Sequence, residues 1–122
     1  MPDPTLVLRS VARPWGRWQV LDAAADHKVK RLEVEPPARL SYQRHALRAE
    51  HWFVVSGSGL ATIDGVERAI GVGDSVDVAV GVPHRIANAG ADLLVLIEVQ
   101  TGTSFVEDDI ERLEDDFGRA GR

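Results

Sequence analysis

Residues 43–50 read Gln-Arg-His-Ala-Leu-Arg-Ala-Glu and carry most of the information about this chain. Side chains two residues apart on a strand point to the same face, so Gln43 and His45 face one way together with Ser41. After a bend, Glu50 can return to the same face. The stretch therefore predicts one amide, one imidazole and one carboxylate directed into a common interior.

A second stretch supplies another histidine. His84 follows Gly81 and Pro83, and Asn88 has the same strand parity as His84. Two histidines, a carboxylate and an amide oxygen converging inside a barrel would make a metal site with room for water or substrate. The 122 residues contain no cysteine, so a metal must be held by nitrogen and oxygen ligands.

Short apolar or β-branched segments separated by turn residues predict an all-β domain. Ten strands are expected, at residues 6–9, 18–22, 28–35, 39–43, 52–56, 60–63, 66–70, 75–78, 84–89 and 93–99. Asp64-Gly65 predicts a type I′ hairpin, and 57–59 (Gly-Ser-Gly) is interpreted as another tight hairpin turn. So many short strands in one domain indicate a sandwich or barrel.

The acidic segment 107–116 holds seven of the nineteen Asp and Glu residues. Within it and just after it, Ile110, Leu113 and Phe117 recur at helical spacing. This pattern predicts a short amphipathic helical tail over about 107–118, packed on the barrel with its acids in solvent.

Composition excludes several classes of protein. The chain is 44% hydrophobic and 27% charged, with a net charge of −5, which fits a single domain over 1–122 with its barrel core at about 13–100. A net negative charge argues against general nucleic-acid binding. Apolar runs fall far short of the roughly 20 residues that cross a bilayer, and no signal-peptide pattern is present. We expect a cytoplasmic homodimer without membrane or nucleic-acid partners.

The spacing of these residues resembles the cupin motifs G-x5-H-x-H-x3,4-E-x6-G and G-x5-P-x-G-x2-H-x3-N. Gln43 stands at the first histidine, His45 at the second, and Glu50 and Gly57 at the next two positions. Ala79 replaces the proline of the second motif. The other second-motif positions match at family spacing: Gly73, Gly81, His84 and Asn88. The resemblance implies a jelly-roll barrel, the double-stranded β-helix.

The chain is similar in particular to the cupin domain of type II mannose-6-phosphate isomerases, which in many relatives follows a guanylyltransferase domain. The similar segments are 13–16, 28–32, 40–45, 48–52, 54–57, 84–85, 97–100 and 107–110. The resemblance implies a divalent metal held by Gln43, His45, Glu50 and His84. Zinc is the expected ion, with iron, manganese, cobalt and nickel as alternatives. We expect no guanylyltransferase activity, since that domain is absent from the sequence.

The reaction implied is the interconversion of mannose 6-phosphate and fructose 6-phosphate through an enediol. Arg48 shares strand parity with Glu50, and the two are the expected catalytic residues. Arg48 is also a candidate for the phosphate, with an ion pair to Glu50 or a solvated position as alternatives. Lys28, Lys30 and Ser41 are further substrate-binding candidates, although the two lysines could equally be solvated charges at a strand end.

Other interpretations stay open at this point. Gln43 could bind the metal or only orient a ligating histidine. Ala46 and Leu47 stand where the family commonly has histidines. Arg85 has the opposite parity to His84 and is expected at the surface. The alternative functions are a non-catalytic or regulatory cupin that binds a sugar phosphate or small anion, and a metal-dependent oxygenase, because a fold alone does not fix chemistry.

Overall fold

A computed structural model describes residues 10–119, which form eleven strands and no helix. Accordingly, no helix among these residues could span a membrane. The strands are β1 (Ser10–Arg13), β2 (Gly16–Ala23), β3 (His27–Val34), β4 (Tyr42–Arg44), β5 (Arg48–Ser56), β6 (Ser58–Ile63), β7 (Val66–Gly71), β8 (Ser75–Val78), β9 (His84–Ala87), β10 (Leu94–Gly102) and β11 (Glu111–Glu114). The all-β expectation is confirmed, and the strand predicted at 6–9 lies outside the described residues.

The strands form two antiparallel sheets that enclose the interior. One sheet has the order β1-β2-β3-β10-β5-β8, and the other has the order β11-β4-β9-β6-β7. Buried and more exposed side chains alternate clearly along β3, β5 and β8, as the period-2 pattern predicts. The resulting core is built mainly from Trp and branched aliphatic residues: Trp15, Trp18, Val20, Leu32, Val34, Trp52, Val54, Ala61, Ile70, Val76, Val78, Ile86, Leu94 and Leu96.

The two predicted hairpin turns have different outcomes. Asp64 and Gly65 have φ angles of 49° and 80° and join β6 to β7, which confirms the type I′ hairpin. The interpretation of 57–59 as a hairpin is wrong, because β5 and β6 belong to different sheets. Gly57 instead carries the chain between the sheets, where an added Cβ would lie 2.4 Å from the carbonyl oxygen of Leu93.

The predicted C-terminal helix is also wrong. Its central residues form β11, which pairs with the edge strand β4 through Glu111 opposite Arg44 and Arg112 opposite Gln43. A ten-residue helix is marginal by itself, and acids three or four apart would repel one another on it. The unpaired backbone groups of β4 offer better partners. The segment therefore lies across one end of the barrel as an extended strap, defined here as residues 103–119.

Candidate metal centre

The barrel interior is apolar at one end and polar at the other. Along β10, Leu94 and Leu96 face the core, and Glu98 and Gln100 continue the same face. The antiparallel register sets Glu98 opposite Lys30 on β3 and Gln100 opposite Glu50 on β5. Polar side chains from three adjacent strands thus meet at one end of the barrel.

Three of the predicted metal ligands meet at this polar end. His45, Glu50 and His84 are all buried, at 2%, 4% and 2% exposure. The Nε2 atom of His45 lies 3.1 Å from Glu50 Oε2, and that of His84 lies 3.6 Å from Glu50 Oε1. Candidate ligand atoms of the three residues all lie within 4.8 Å of one another. This His-Glu-His group could hold a metal ion.

Hydrogen bonds orient both imidazoles in the way that a metal site requires. Nδ1 of His45 donates to the carbonyl oxygen of Asp109 at 2.6 Å, and Nδ1 of His84 donates to that of Val82 at 2.9 Å. A carbonyl oxygen only accepts, so in each neutral ring the lone pair is on Nε2, facing Glu50. Burial lowers the pKa of His84 more than Glu50 raises it, which favours the neutral ring.

The Nε2 atom of His84 is itself informative. It is buried and has no hydrogen-bond partner among residues 10–119. A buried nitrogen lone pair without a donor is costly unless something occupies it. A metal ion that also binds His45 and Glu50 would satisfy this atom, so the residues present fit the group that the motif implies.

Gln43 lies beside the three ligands but is held by other contacts. Its Oε1 accepts a hydrogen bond from Ser41 Oγ at 2.6 Å, and its Nε2 lies 3.4 Å from Nε2 of His45. Its Cα is opposite that of His84 in the β4–β9 pair. Turning the amide end for end would direct its oxygen toward His45, because Ser41 can accept as well as donate.

The carboxylate of Glu50 is surrounded by donors. Trp52 Nε1 donates to Oε1 at 2.9 Å, and Arg48 Nε lies 3.4 Å from Oε2. Burial alone would raise the pKa of Glu50, yet its pKa lies well below the usual value, so the group is a carboxylate. The structure therefore shows the Arg48–Glu50 ion pair that sequence left as an alternative, and it places both residues in the wall of a cavity.

Glu98 is a buried carboxyl that sequence reasoning did not select. It accepts a hydrogen bond from Gln100 Nε2 at 2.8 Å and lines the same cavity as Glu50. Burial and the neighbouring carboxylate of Glu50 raise its pKa to about 8. Its signal in the sequence was parity: Glu98 continues the inward face of an apolar strand, where a charged residue is unusual.

The two predicted lysines are tied to the strap. Nζ of Lys30 lies 2.7 Å from Glu107 Oε2 and 4.1 Å from the centroid of a Trp18 ring. Nζ of Lys28 lies 3.0 Å from the same oxygen and donates to the carbonyl of Phe105. Lys30 lines the cavity wall. Burial raises the pKa of Glu107, but the two ammonium groups outweigh it and lower the pKa to about 2.

The strap also fixes the loop between β4 and β5. The carboxylate of Asp109 accepts hydrogen bonds from the backbone N–H groups of Ala46 and Leu47, at 2.9 and 3.0 Å. The carbonyl of Val106 accepts from Arg48 Nη1 at 3.1 Å. Ala46 and Leu47 are therefore held by the strap, and the segment that was expected to form a helix supports the site directly.

The cavity at the polar end has about 630 Å³ of empty space, part of it open to solvent. Its lining combines residues from both sheets and the strap: Arg13, Trp15, Trp18, Lys30, Leu32, Leu40, Ser41, Gln43, Arg48, Glu50, Glu98, Glu107, Ile110, Arg112 and Arg119. Arg85 is not part of it. That side chain points to the opposite face, as predicted, but the expected surface position is wrong: it is 7% exposed and is covered by Glu114.

Comparison with known proteins agrees with this geometry. A family model described as "Mannose-6-phosphate isomerase C-terminal" matches residues 3–115. The chain belongs to this family. It is 43% identical over 111 residues to the mannose-1-phosphate guanylyltransferase ManC of Salmonella typhimurium, covering 91% of this chain and 23% of that protein. It is 46% identical over 109 residues to the alginate biosynthesis protein AlgA of Pseudomonas aeruginosa, covering 89% and 23%.

The chain thus spans about a quarter of the length of these curated relatives. Among solved structures, the capsular polysaccharide assembling protein CapF of Staphylococcus aureus aligns with a TM-score of 0.79 at 23% identity, covering 88% of this chain and 34% of CapF. A Klebsiella pneumoniae protein with a double-stranded β-helix domain aligns with a TM-score of 0.67 at 17% identity, covering 85% and 84%. The family fold is a cupin, as the motif spacing predicted.

Proposed function

We propose that this domain is a divalent-metal-dependent isomerase that interconverts mannose 6-phosphate and fructose 6-phosphate through an enediol. The observation that carries the proposal is the pair of inward Nε2 lone pairs of His45 and His84 on either side of Glu50, a carboxylate that lines the cavity. Membership of the family that takes its name from this reaction supports the choice of substrate.

In this proposal Gln43, His45, Glu50 and His84 hold the metal, most readily zinc. Three neutral ligands and one carboxylate leave a divalent ion with net positive charge, which would polarise a carbonyl and stabilise enediolate oxygens. Gln43 joins the set once its amide is turned, and Ser41 then accepts from the amide nitrogen. A second ionised carboxylate in the ligand set would cancel that charge.

Arg48 and Glu50 are the proposed catalytic residues. The guanidinium of Arg48 touches Glu50, the Val106 carbonyl and Nε2 of His45, at distances of 3.1 to 3.4 Å. It therefore holds the carboxylate in place while its remaining N–H groups can bind a developing oxyanion. Such a positive group, fixed before the substrate arrives, needs no reorganisation during reaction.

Substrate binding in this proposal uses the rest of the cavity wall. Lys30 presents an ammonium group that Glu107 and the Trp18 ring already orient. Ser41 presents a hydroxyl beside Gln43. Lys28 acts through Glu107, which it contacts together with Lys30. These donors suit the hydroxyl oxygens of an open-chain sugar.

The decisive experiment is an assay for fructose 6-phosphate formation from mannose 6-phosphate, coupled to its detection, with zinc loading confirmed by elemental analysis. We expect turnover in the wild type, and in His84→Ala a loss of bound metal and at least about a hundredfold lower kcat/KM. His51→Ala is the matched control, because His51 is exposed and pairs with Asp77 on the outer face. Its metal content and turnover should stay at wild-type levels.

Fully loaded protein without turnover would contradict the isomerase proposal. Thermal stabilisation by mannose 6-phosphate under those conditions would then identify a non-catalytic sugar-phosphate binder. Bound iron together with oxygen consumption would identify an oxygenase instead. A Gln43→Ala variant with unchanged metal affinity would remove Gln43 from the ligand set and leave the rest of the proposal standing.

A further inference from the structure

Three arginines from separate parts of the chain line the cavity near its metal-binding group. Arg13 ends β1, Arg112 lies on β11, and Arg119 follows in the strap. Arg112 is the register partner of Gln43, so the two side chains leave the sheet on the same face. The guanidinium cluster therefore shares one cavity with two of the proposed ligands, Gln43 and Glu50.

Arg112 is the unusual member of this cluster. Its Nε is buried and has no hydrogen-bond partner among residues 10–119. Burial lowers the pKa of Arg112, and the nearby charges of Arg119 and Arg13 lower it further, against the opposing effect of Asp115. An unpaired buried donor next to like charges costs folding free energy. Such an arrangement is expected where an anion completes it.

Asp115, the acidic residue associated with this cluster, already accepts several hydrogen bonds. Asp115 accepts from Arg119 Nε at 2.7 Å, from the backbone N–H of Arg119 at 2.8 Å and from that of Phe117 at 3.3 Å. Arg13 contacts only the carbonyl of Ala12 and the ring of Trp18 among the described residues. One carboxylate thus faces three guanidinium groups, and positive charge is left over.

The other cationic groups of the cavity are different. Lys30 has Glu107 at 2.7 Å, and Arg48 has Glu50 at 3.4 Å. Glu107 is shared with Lys28, so one excess positive charge remains at the lysines of β3. Two remain at the three arginines, which have Asp115 alone, so the larger uncompensated charge of the cavity is at the arginines.

We propose that Arg13, Arg112 and Arg119 bind the phosphate group of the substrate. The inference rests on the proposed function, in that the ligand is a sugar phosphate. The planar fork of each guanidinium matches two phosphate oxygens, and a dianion balances the excess positive charge. In a hexose 6-phosphate the reacting carbons C1 and C2 lie at the other end of the carbon chain from the phosphate, so the arginines and the ligands Gln43 and Glu50 would contact opposite ends of one substrate in this cavity.

The test measures stabilisation by inorganic phosphate at constant ionic strength, read as the shift in Tm. The variants are Arg112→Gln, Arg13→Gln and the control Arg68→Gln, which removes the same charge from an exposed position on β7. We expect wild-type protein and Arg68→Gln to respond alike. Arg112→Gln and Arg13→Gln should each need at least about tenfold more phosphate for the same shift.

Stability without phosphate separates binding from a merely structural role. Removing an uncompensated cation should leave the Tm of Arg112→Gln unchanged or raised, whereas loss of a structural contact would lower it. The proposal is overturned if both cluster variants respond like wild type, or if Arg68→Gln loses as much as they do. It is also overturned if chelator treatment abolishes the wild-type response, because the anion would then be binding at the metal.

The same variants keep this proposal separate from the isomerase assignment. With turnover present, we expect Arg112→Gln to raise KM for mannose 6-phosphate while bound metal stays constant. Turnover with an unchanged KM would remove the arginine site and leave the isomerase intact. A phosphate response that depends on Arg112, in fully loaded protein without turnover, would keep the anion site and remove the isomerase.

Discussion

The apolar and polar ends of the barrel interior lie on the same strands but differ in how well their side chains are matched by partners within the protein. At the apolar end, Leu94 and Leu96 are fully buried against other apolar side chains. The polar end contains every buried side-chain atom of residues 10–119 that lacks a hydrogen-bond partner: His84 Nε2, Gln100 Oε1 and Arg112 Nε. Packing at one end supplies stability, and the other end retains unsatisfied groups that a metal, water or substrate can satisfy.

The strap supplies interaction partners to the buried polar groups at the polar end. It brings Glu107 to the two lysines of β3, the Asp109 carbonyl to His45, and the Val106 carbonyl to Arg48. Without these partners, several buried charges and donors would face only one another. The difference between the two ends can be tested by exchanging their chemistry and by removing the contacts of the strap.

The largest effect is expected from placing a polar group at the apolar end. Leu96→Gln buries an amide among aliphatic side chains with no partner, and we expect a loss of about 3–5 kcal/mol in the free energy of unfolding. Urea denaturation measures it. Leu96→Met is the control, because it keeps volume and polarity and should cost less than about 1.5 kcal/mol. A small loss in Leu96→Gln would mean that this end also admits water.

The next effect concerns the strap carboxylate that pairs with both lysines. Glu107→Gln should cost about 1–2 kcal/mol near neutral pH, less than a fully buried pair, since the Glu107 side chain is 42% exposed. Its pKa of about 2, against an ordinary 4.5, means that the contribution is complete above about pH 4.5 and is lost as pH falls toward 2.

Urea unfolding at several pH values checks this prediction. The difference between wild type and Glu107→Gln should shrink as pH falls from about 4.5 toward 2, because the wild-type carboxylate then takes up a proton. A difference that stays constant across this range would show that Glu107 stabilises the strap by packing rather than by its charge.

A smaller effect is expected at the loop that carries His45. Asp109→Ala removes the acceptor of two backbone N–H groups and should cost about 1 kcal/mol of stability. Because that loop positions His45, zinc affinity should fall about tenfold, measured by competition with a chromophoric chelator. Asp108→Ala is the matched control, since Asp108 is the exposed neighbouring acid. Equal losses of zinc affinity in both variants would show that the effect comes from removing one negative charge near the site, not from the hydrogen bonds of Asp109.

The smallest effect is expected from the reverse exchange at the polar end. Gln100 is as fully buried as Leu96 and lies on the same face of β10. Gln100→Leu removes an unsatisfied oxygen and one hydrogen bond to Glu98, so stability should change by less than about 1 kcal/mol in either direction. A loss as large as that in Leu96→Gln would mean that the two ends are equally optimised for folding.

Much of the site could be predicted from local spacing, and the failures have a common cause. His45, Glu50 and His84 follow from motif spacing because strand parity and a short bend fix where each side chain points. Glu98 and the arginine cluster were missed, because their role depends on which strands become neighbours. The prediction of a helix over 107–118 failed for the same reason. The local pattern does not show that β4 has unpaired backbone groups with which β11 can form hydrogen bonds.

Local sequence patterns were enough to predict an all-β domain, the type I′ hairpin at Asp64-Gly65 and the inward direction of the main candidate ligands. These depend on residue-by-residue alternation and on turn chemistry, which are local. The packing of the strands made the acidic segment a strap and paired Lys30 with Glu107. It also brought the buried Nε atom of Arg112 near two other arginines. Those features depend on contacts between residues far apart in the chain. The order of the strands in each sheet and their register decide which of these residues become neighbours.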